Sequence, residues 1–216
     1  MICLKNLVFI DQLKWYIYGM KYRLRLLILC FAFLSIYKIY AQNSTNPIHI
    51  VDKELGFKMD LPRGFTKMDS KEVGAALQMG KKQIDKIYDT DFNINGLEPN
   101  LFKKDDNNYF IINIKDFPDS EEAYQKEVAK YNRLMYTTYQ KSFPNVELTE
   151  STETKKIGNE VFTKYSLKAV VSKALTMKVF NFNSLYKGKD VTLAAVYVDD
   201  EVGQEILKAV ESASFK

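Results

Sequence analysis

Apolar and polar residues recur with two different periods along this chain, and the switches between them divide it into elements. From Ile48 the pattern is strand-like: Ile48–Val51 and Leu55–Leu61 read as a strand pair stopped by Pro62-Arg63-Gly64. Val73, Leu77, Ile84 and Ile87 then fall along one broad helical face. Asp69, with Glu72 three residues on, supplies a capping box for it. Asp89–Pro99 breaks the period and reads as a loop. Tyr109–Ile114 is apolar on both parities and too short for a helix, which suits a central strand covered on both faces.

A long helix is expected from Ser120 to Ser142, with Asp119 and Glu122 repeating the capping spacing and Pro144 closing the far end. Tyr124, Val128, Tyr131, Met135, Thr138 and Tyr139 form its buried stripe on a 3.6 period. The remainder reads as an antiparallel meander. In Val161–Val171, Val161, Tyr165, Leu167, Ala169 and Val171 share one face, and Lys164, Ser166 and Lys168 share the other. Leu175–Tyr186 returns, Lys187–Asp190 turns, and Val191–Val198 is apolar on both parities. Asp199-Asp200-Glu201 opens a last helix, with acids where the helix dipole favours them, and Val202, Ile206, Val210 and Ala213 form its buried side. Lys103-Lys104-Asp105-Asp106 reads as an exposed charged turn.

Ahead of this pattern lies one of a different kind. Met20 is followed by Lys21, Arg23 and Arg25, then by the apolar run from Leu26, and the stretch closes at Ile39-Tyr40-Ala41 before the polar Gln42–Asn46. A basic start, an apolar core and a small residue at the cut are the parts of a secretory signal peptide. Residues 20–41 are therefore read as a cleaved signal peptide, 42–47 as a flexible lead-in, and 48–216 as a single domain. Residues 1–19 fit no part of that plan and are read as a non-native upstream extension. The alternative is an uncleaved N-terminal helix that anchors the chain. A spanning helix needs roughly 20 apolar residues, whereas Lys38 interrupts the run that starts at Leu26.

Subtracting residues 1–41 changes the composition. The whole chain has 31 Lys and Arg, 27 Asp and Glu and a pI of about 8.8. Six of those bases (Lys5, Lys14, Lys21, Arg23, Arg25, Lys38) and one acid, Asp11, belong to the leader, so the remaining domain is close to neutral. A neutral domain has no global pull on nucleic acid or anionic membrane. Cys3, Cys30 and Trp15 also leave with the leader. The exported domain is then free of disulfides, zinc–cysteine sites and cysteine nucleophiles.

Two central strands covered on both faces, together with three helices, imply an α+β fold: a mainly antiparallel sheet flanked by helices on both faces, an α/β/α sandwich. The opening LGFKMDLPRGF (55–65) and the ending NSLYKGKDVTLAAVYVDDEVGQEILKAVESASF (183–215) carry a resemblance. In both, a strand leads into Pro-x-Gly-Phe near the start, and a late strand pair meets a terminal helix closing on Ser-Phe. That pattern is similar to the PsbP/DcrB-like group of exported α/β/α proteins. The resemblance covers the first and last fifths of the exported chain, and the middle matches in element order. It implies a PsbP-like scaffold for binding and assembly rather than catalysis, with no shared catalytic residue to carry over.

Candidate chemistry is sparse. His49 is the sole histidine, near the start of the exported chain in an edge strand, so a triad or a transition-metal site has little to draw on. The nine glycines are never spaced Gly-x-Gly, which excludes dinucleotide and phosphate-loop fingerprints. Asp91-x-Asn93-x-Asn95-Gly96 matches the front half of a calcium loop. Its back half fails, because Phe102 stands where a bidentate glutamate is needed. Tyr136 lies off the buried stripe of the long helix and is the candidate aromatic for a partner contact.

The expectation is an exported, non-enzymatic envelope protein, periplasmic or secreted, that binds a protein partner or small ligand there. It has no cofactor, no nucleic-acid partner and no stable membrane insertion after cleavage. A carboxylate-based hydrolase of envelope polymers is the second expectation, resting on the many acids. A weak calcium-dependent module using Asp91, Asn93 and Asn95 is the third. N-terminal sequencing of the exported protein checks the first step: the mature chain is expected to begin at Gln42, and a chain beginning earlier returns the anchored form.

Overall fold

The computed structural model describes residues 46–91, 93–94, 98–143 and 145–216. The extension 1–19, the signal segment 20–41, most of the lead-in, Asn95 and Pro144 lie outside them. The described chain runs β1 (Ile48–Asp52), β2 (Phe57–Leu61), β3 (Thr66–Lys67), α1 (Ser70–Tyr88), β4 (Asn100–Asp105), β5 (Asn108–Asp116), α2 (Glu121–Ser142), β6 (Glu147–Ile157), β7 (Glu160–Ser172), β8 (Leu175–Tyr186), β9 (Lys189–Tyr197) and α3 (Asp200–Glu211). β1 and β2 form a separate hairpin. The other strands make one sheet in the order β3-β4-β5-β9-β8-β7-β6, with every neighbouring pair antiparallel.

The two apolar faces of that sheet are covered by different elements. On one side, Tyr109, Ile111, Leu167, Val179 and Val196 pack under α1 and α2, through Leu77, Ile84, Tyr131, Met135 and Tyr139. On the other, Phe110, Ile112, Phe162, Phe182 and Leu193 pack under α3 and the β1–β2 hairpin, through Val202, Ile206, Phe57 and Leu61. This is the α+β architecture expected, with helices on both faces. The stripe expected on α2 is buried at all six positions. Phe215 ends the second core: its ring lies 5.0 Å from Phe57, 5.5 Å from Phe162 and 5.4 Å from Tyr186. A β-bridge between Lys58 and Ser214 holds that segment against β2.

Helix starts follow the side chains that satisfy their free N–H groups. Asp69 and Glu72 form the expected reciprocal capping box on α1. On α2 the cap is Ser120 rather than Asp119; its Oγ accepts from Ala123 N at 3.3 Å. The entry is fixed from the sheet side, where Phe117 N donates to Gly188 O and the Phe117 ring packs edge-on against Tyr124. Asp199 caps α3 by accepting from Glu201 N and Val202 N.

Three strand readings need correction. Lys103 and Lys104 belong to β4, and the charged turn is confined to the residues beyond Asp105. Lys103 Nζ reaches Glu72 of α1 at 2.5 Å, and Lys104 Nζ reaches Glu205 of α3 at 2.8 Å, so one strand sends a cation to each helical layer. Their long apolar stems make this compatible with a packed sheet. β6 pairs with β7 along its whole length despite a polar sequence, because its neighbour supplies the ladder. On β7, Val161 is exposed, and Phe162 on the opposite parity is the buried anchor.

Two helical glycines have opposite consequences. A Cβ at Gly203 would enter the Tyr197 ring, whereas one at Gly74 meets nothing within 4 Å. Gly203→Ala is expected to lower stability by about 1–3 kcal/mol through overpacking. Gly74→Ala is expected to raise it by about 0.5–1 kcal/mol through lower chain entropy. Urea denaturation of the two variants measures both signs.

Candidate functional site

The face under α1 and α2 changes character along β8 and β9. Met177 and Val179 give way to Asn181 and Asn183 on β8, and Val196 and Ala194 give way to Thr192 and Asp190 on β9. Alternate residues of a strand share a face, so these four polar side chains form a stripe across the sheet below the N-terminal half of α2. All four are buried.

Half of this stripe is internally satisfied. Tyr124 OH of α2 donates to Asp190 Oδ1 at 3.2 Å, and Lys115 Nζ of β5 lies 3.4 Å from Asp190 Oδ2. Thr192 Oγ1 lies 3.3 Å from Asp190 Oδ1 and 3.2 Å from Asn183 Oδ1. Asp190, Tyr124, Lys115 and Thr192 therefore pin the start of α2 to the sheet. The other half has open valences. Asn181 is 0% exposed, and neither its Nδ2 nor its Oδ1 has a hydrogen-bond partner among the described residues. The same holds for Asn183 Nδ2 and for Asn132 Oδ1 on α2. Leaving a buried amide unpaired costs about 1–3 kcal/mol per group, so such a cluster calls for a partner.

The cross-strand partners of those asparagines lead to an opening. Asn181 stands opposite Tyr165 and Asn183 opposite Thr163, both on β7. Thr163 and Tyr165 floor a cleft of about 460 Å³ between α2 and the β6–β7 hairpin. Gln125, Asn132 and Arg133 of α2 form one wall, and Glu150 and Thr152 of β6 form the other. Tyr165 OH donates to Glu150 Oε2 at 2.7 Å. Burial, reinforced by the Glu150 carboxylate, pushes the Tyr165 phenol far above its ordinary range. Glu150 is the one acid among the described lining residues. The cleft thus does not supply the paired carboxylates of glycoside hydrolysis.

The residues singled out in the sequence fall elsewhere. His49 Nδ1 lies 2.6 Å from Asp60 Oδ1 on the exposed face of the β1–β2 hairpin, remote in sequence and sheet from the cleft. Asp91 Oδ1 accepts from Lys81 Nζ at 2.5 Å, and Lys81 also holds Asp85; Asn93 is exposed, and Asn95 lies outside the described residues. No group of three or more metal-binding side chains occurs among the described residues. Tyr136 is half-buried rather than displayed. The Arg133 guanidinium lies 5.5 Å from its ring centre, and Tyr136 itself packs against the core under α1 and α2.

No family model and no curated protein matches the sequence. Among solved structures, the chain is similar to cyanobacterial PsbP (CyanoP) from Synechocystis sp. PCC 6803, at 12% identity and a TM-score of 0.49, covering 84% of this chain and 99% of that one. It is also similar to the Ran-binding protein Mog1p of Saccharomyces cerevisiae, at 11% identity and a TM-score of 0.40, covering 80% and 96%. LpqN of Mycobacterium tuberculosis, involved in cell envelope biogenesis, matches at 11% identity and a TM-score of 0.40, covering 79% and 90%. At these values none of the three carries an argument about activity or partner. The fold class rests on the seven-stranded sheet and its three helices.

Tyr165 in the cleft and Tyr109 in the core under α1 and α2 make the fold sensitive to alkali. Burial raises the Tyr109 phenol too, helped by the nearby carboxylates of Asp106, Asp105 and Glu72. In the unfolded chain both phenols ionise near pH 10; in the folded chain they hold their protons well beyond it. The native state then binds more protons than the unfolded state, so their contribution is complete below about pH 10 and is lost as pH rises past it. Urea melts at pH 9 and pH 11 are expected to show this fall, and Tyr165→Phe is expected to flatten part of it.

Proposed function

We propose that this chain is an exported binding domain that holds a small polar ligand in the cleft between α2 and the β6–β7 hairpin. The observation that carries the proposal is Asn181: a fully buried amide with both polar atoms unpartnered among the described residues, one strand inward from the cleft floor. A carboxamide offers a donor and an acceptor side by side. With Asn183 Nδ2 and Asn132 Oδ1 it asks for a ligand carrying both kinds of group, such as an amide, a hydroxylated ring or a short peptide. The cleft volume falls in the range of small-molecule sites. Arg133 and Glu150 at its walls add one charge of each sign.

Export rests on the leader pattern at 20–41. Among the described residues no helix is long and apolar enough to cross a membrane. The binding role fits the buried polar stripe behind the cleft floor, whose groups satisfy one another on the Asp190 side and stay open on the Asn181 side.

Asn181→Leu separates function from folding. Replacing an unsatisfied buried amide by an apolar group of similar size is expected to raise stability by about 1–2 kcal/mol. A thermal-shift panel of amino acids, short peptides and monosaccharides is expected to contain ligands that stabilise the wild type and leave Asn181→Leu unmoved. A variant that loses stability, or that responds to the same ligands as strongly as the wild type, overturns the proposal.

A further inference from the structure

The sheet ends differently at its two edges. β3, at one edge, has only two residues and offers almost no ladder to a stranger. β6, at the other, has eleven, and its register with β7 runs without a shift from Glu147 to Ile157. Its outer row of N–H and C=O groups pairs with no strand among the described residues. It contains no proline and no glycine. Short length, proline, bulges and charged side chains are the usual devices that blunt an edge, and β6 has only the last of them. Residues 149–154 are exposed on both parities, so neither α2 nor α3 overhangs the middle of the strand.

The charges on β6 say what fits there. Glu147, Glu150 and Glu153 occupy its first part, and Lys155 and Lys156 its end. A strand guarded by charge of one sign repels a second copy of itself, whereas this arrangement attracts one running in the opposite direction. A two-fold axis perpendicular to the sheet keeps side chains on their own faces only where a residue stands opposite itself. Centring on Glu150 places Glu147 against Glu153, and centring on Glu153 places that acid against itself. Centring on Thr152 sets Glu147 against Ile157 and gains no ion pair, and centring on Thr154 opposes Glu153 and Lys155 but pairs only residues 151–157 of the strand. Centring on Ser151 puts Glu147 opposite Lys155 twice, Thr149 opposite Glu153 and Glu150 opposite Thr152, with no like charges opposed.

We infer that β6 joins two copies of this chain, antiparallel and centred on Ser151, into one continuous sheet. The two-fold axis keeps both copies of α2 on the same face. Glu150 and Thr152, which wall the cleft, then lie alongside the same strand of the partner copy. The pairing stands independently of what the cleft binds.

Sedimentation equilibrium of the purified protein tests this, with a dimer expected at micromolar concentration. Glu147→Lys and Lys155→Glu each turn both ion pairs repulsive and are each expected to weaken the dimer at least about tenfold; the double swap is expected to return it to within about threefold. Circular dichroism checks that the variants fold, since Glu147 is exposed whereas Lys155 is half-buried and lies 3.4 Å from Glu153 of its own strand. Ser151→Cys, in a chain with Cys3→Ser and Cys30→Ser, is expected to cross-link to itself with a short bis-maleimide. A protein that stays monomeric to about 500 μM overturns the inference, since specific homodimers bind well below that. A dimer that both single reversals leave unchanged overturns it as well, because the contact then lies elsewhere.

Discussion

Strand β9 is buried from Asp190 through Val196 without interruption. It pairs with β5 on one side and β8 on the other. A strand in that position needs apolar cover above and below, because its two parities face opposite ways. Ala194 and Val196 belong to the core under α1 and α2, and Val191, Leu193 and Ala195 to the core under α3 and the β1–β2 hairpin. Everything outside the sheet answers one of those two faces. The small Ala194-Ala195 pair lets both layers approach the middle of the sheet closely. The end of β9 is tied to the start of β5 by one side chain: Asn108 Oδ1 accepts from Val198 N and Asp199 N, 3.2 Å each. That tie delivers the chain directly into the cap of α3.

The same strand also begins the polar stripe. Asp190 opens the buried run, and its parity-mate Thr192 continues it. Burying a carboxylate is costly unless it is paired and hydrogen-bonded. Here Lys115, Tyr124 and Thr192 supply those partners. α2 therefore sits on two kinds of ground. Its C-terminal half, through Met135 and Tyr139, rests on hydrocarbon; its N-terminal half rests on the small apolar cluster of Phe117, Tyr124 and Val128 and on a buried polar stripe beside it. Direction matters in the polar contact and not in the apolar one.

The legible parts of the fold were those in which one residue class repeats at one period. The α2 stripe from Tyr124 to Tyr139, the two-sided run after Asp190 and the capping box of Asp69 and Glu72 each depend on local spacing, and each folds as that spacing requires. β6 was not legible, because Glu-Leu-Thr-Glu-Ser-Thr-Glu-Thr-Lys-Lys has no apolar period. It is a strand because β7 holds its hydrogen bonds, a constraint from another part of the chain. Phe162 was hidden by its neighbours: Val161 fits the same alternation, and only the positions of α3 and Phe215 decide which parity faces the second core. The candidate site left a signal that apolar counting passes over. Asn181 with Asn183, and Asp190 with Thr192, are polar pairs two residues apart inside otherwise buried strands, and the alternation puts both pairs on one face. Their open hydrogen-bonding groups appear only once α2 lies over them.

The placement of Phe215 bears on timing. Its ring completes a core built from β2, β7 and β8, all of which precede it in the chain, and β9 closes the middle of the sheet one helix before it. Until synthesis has passed residue 215, the early strands have an uncovered face and no central strand to join β5 to β8. The second core is thus complete only when residues 189–215 are in place, whatever order the earlier strands form in.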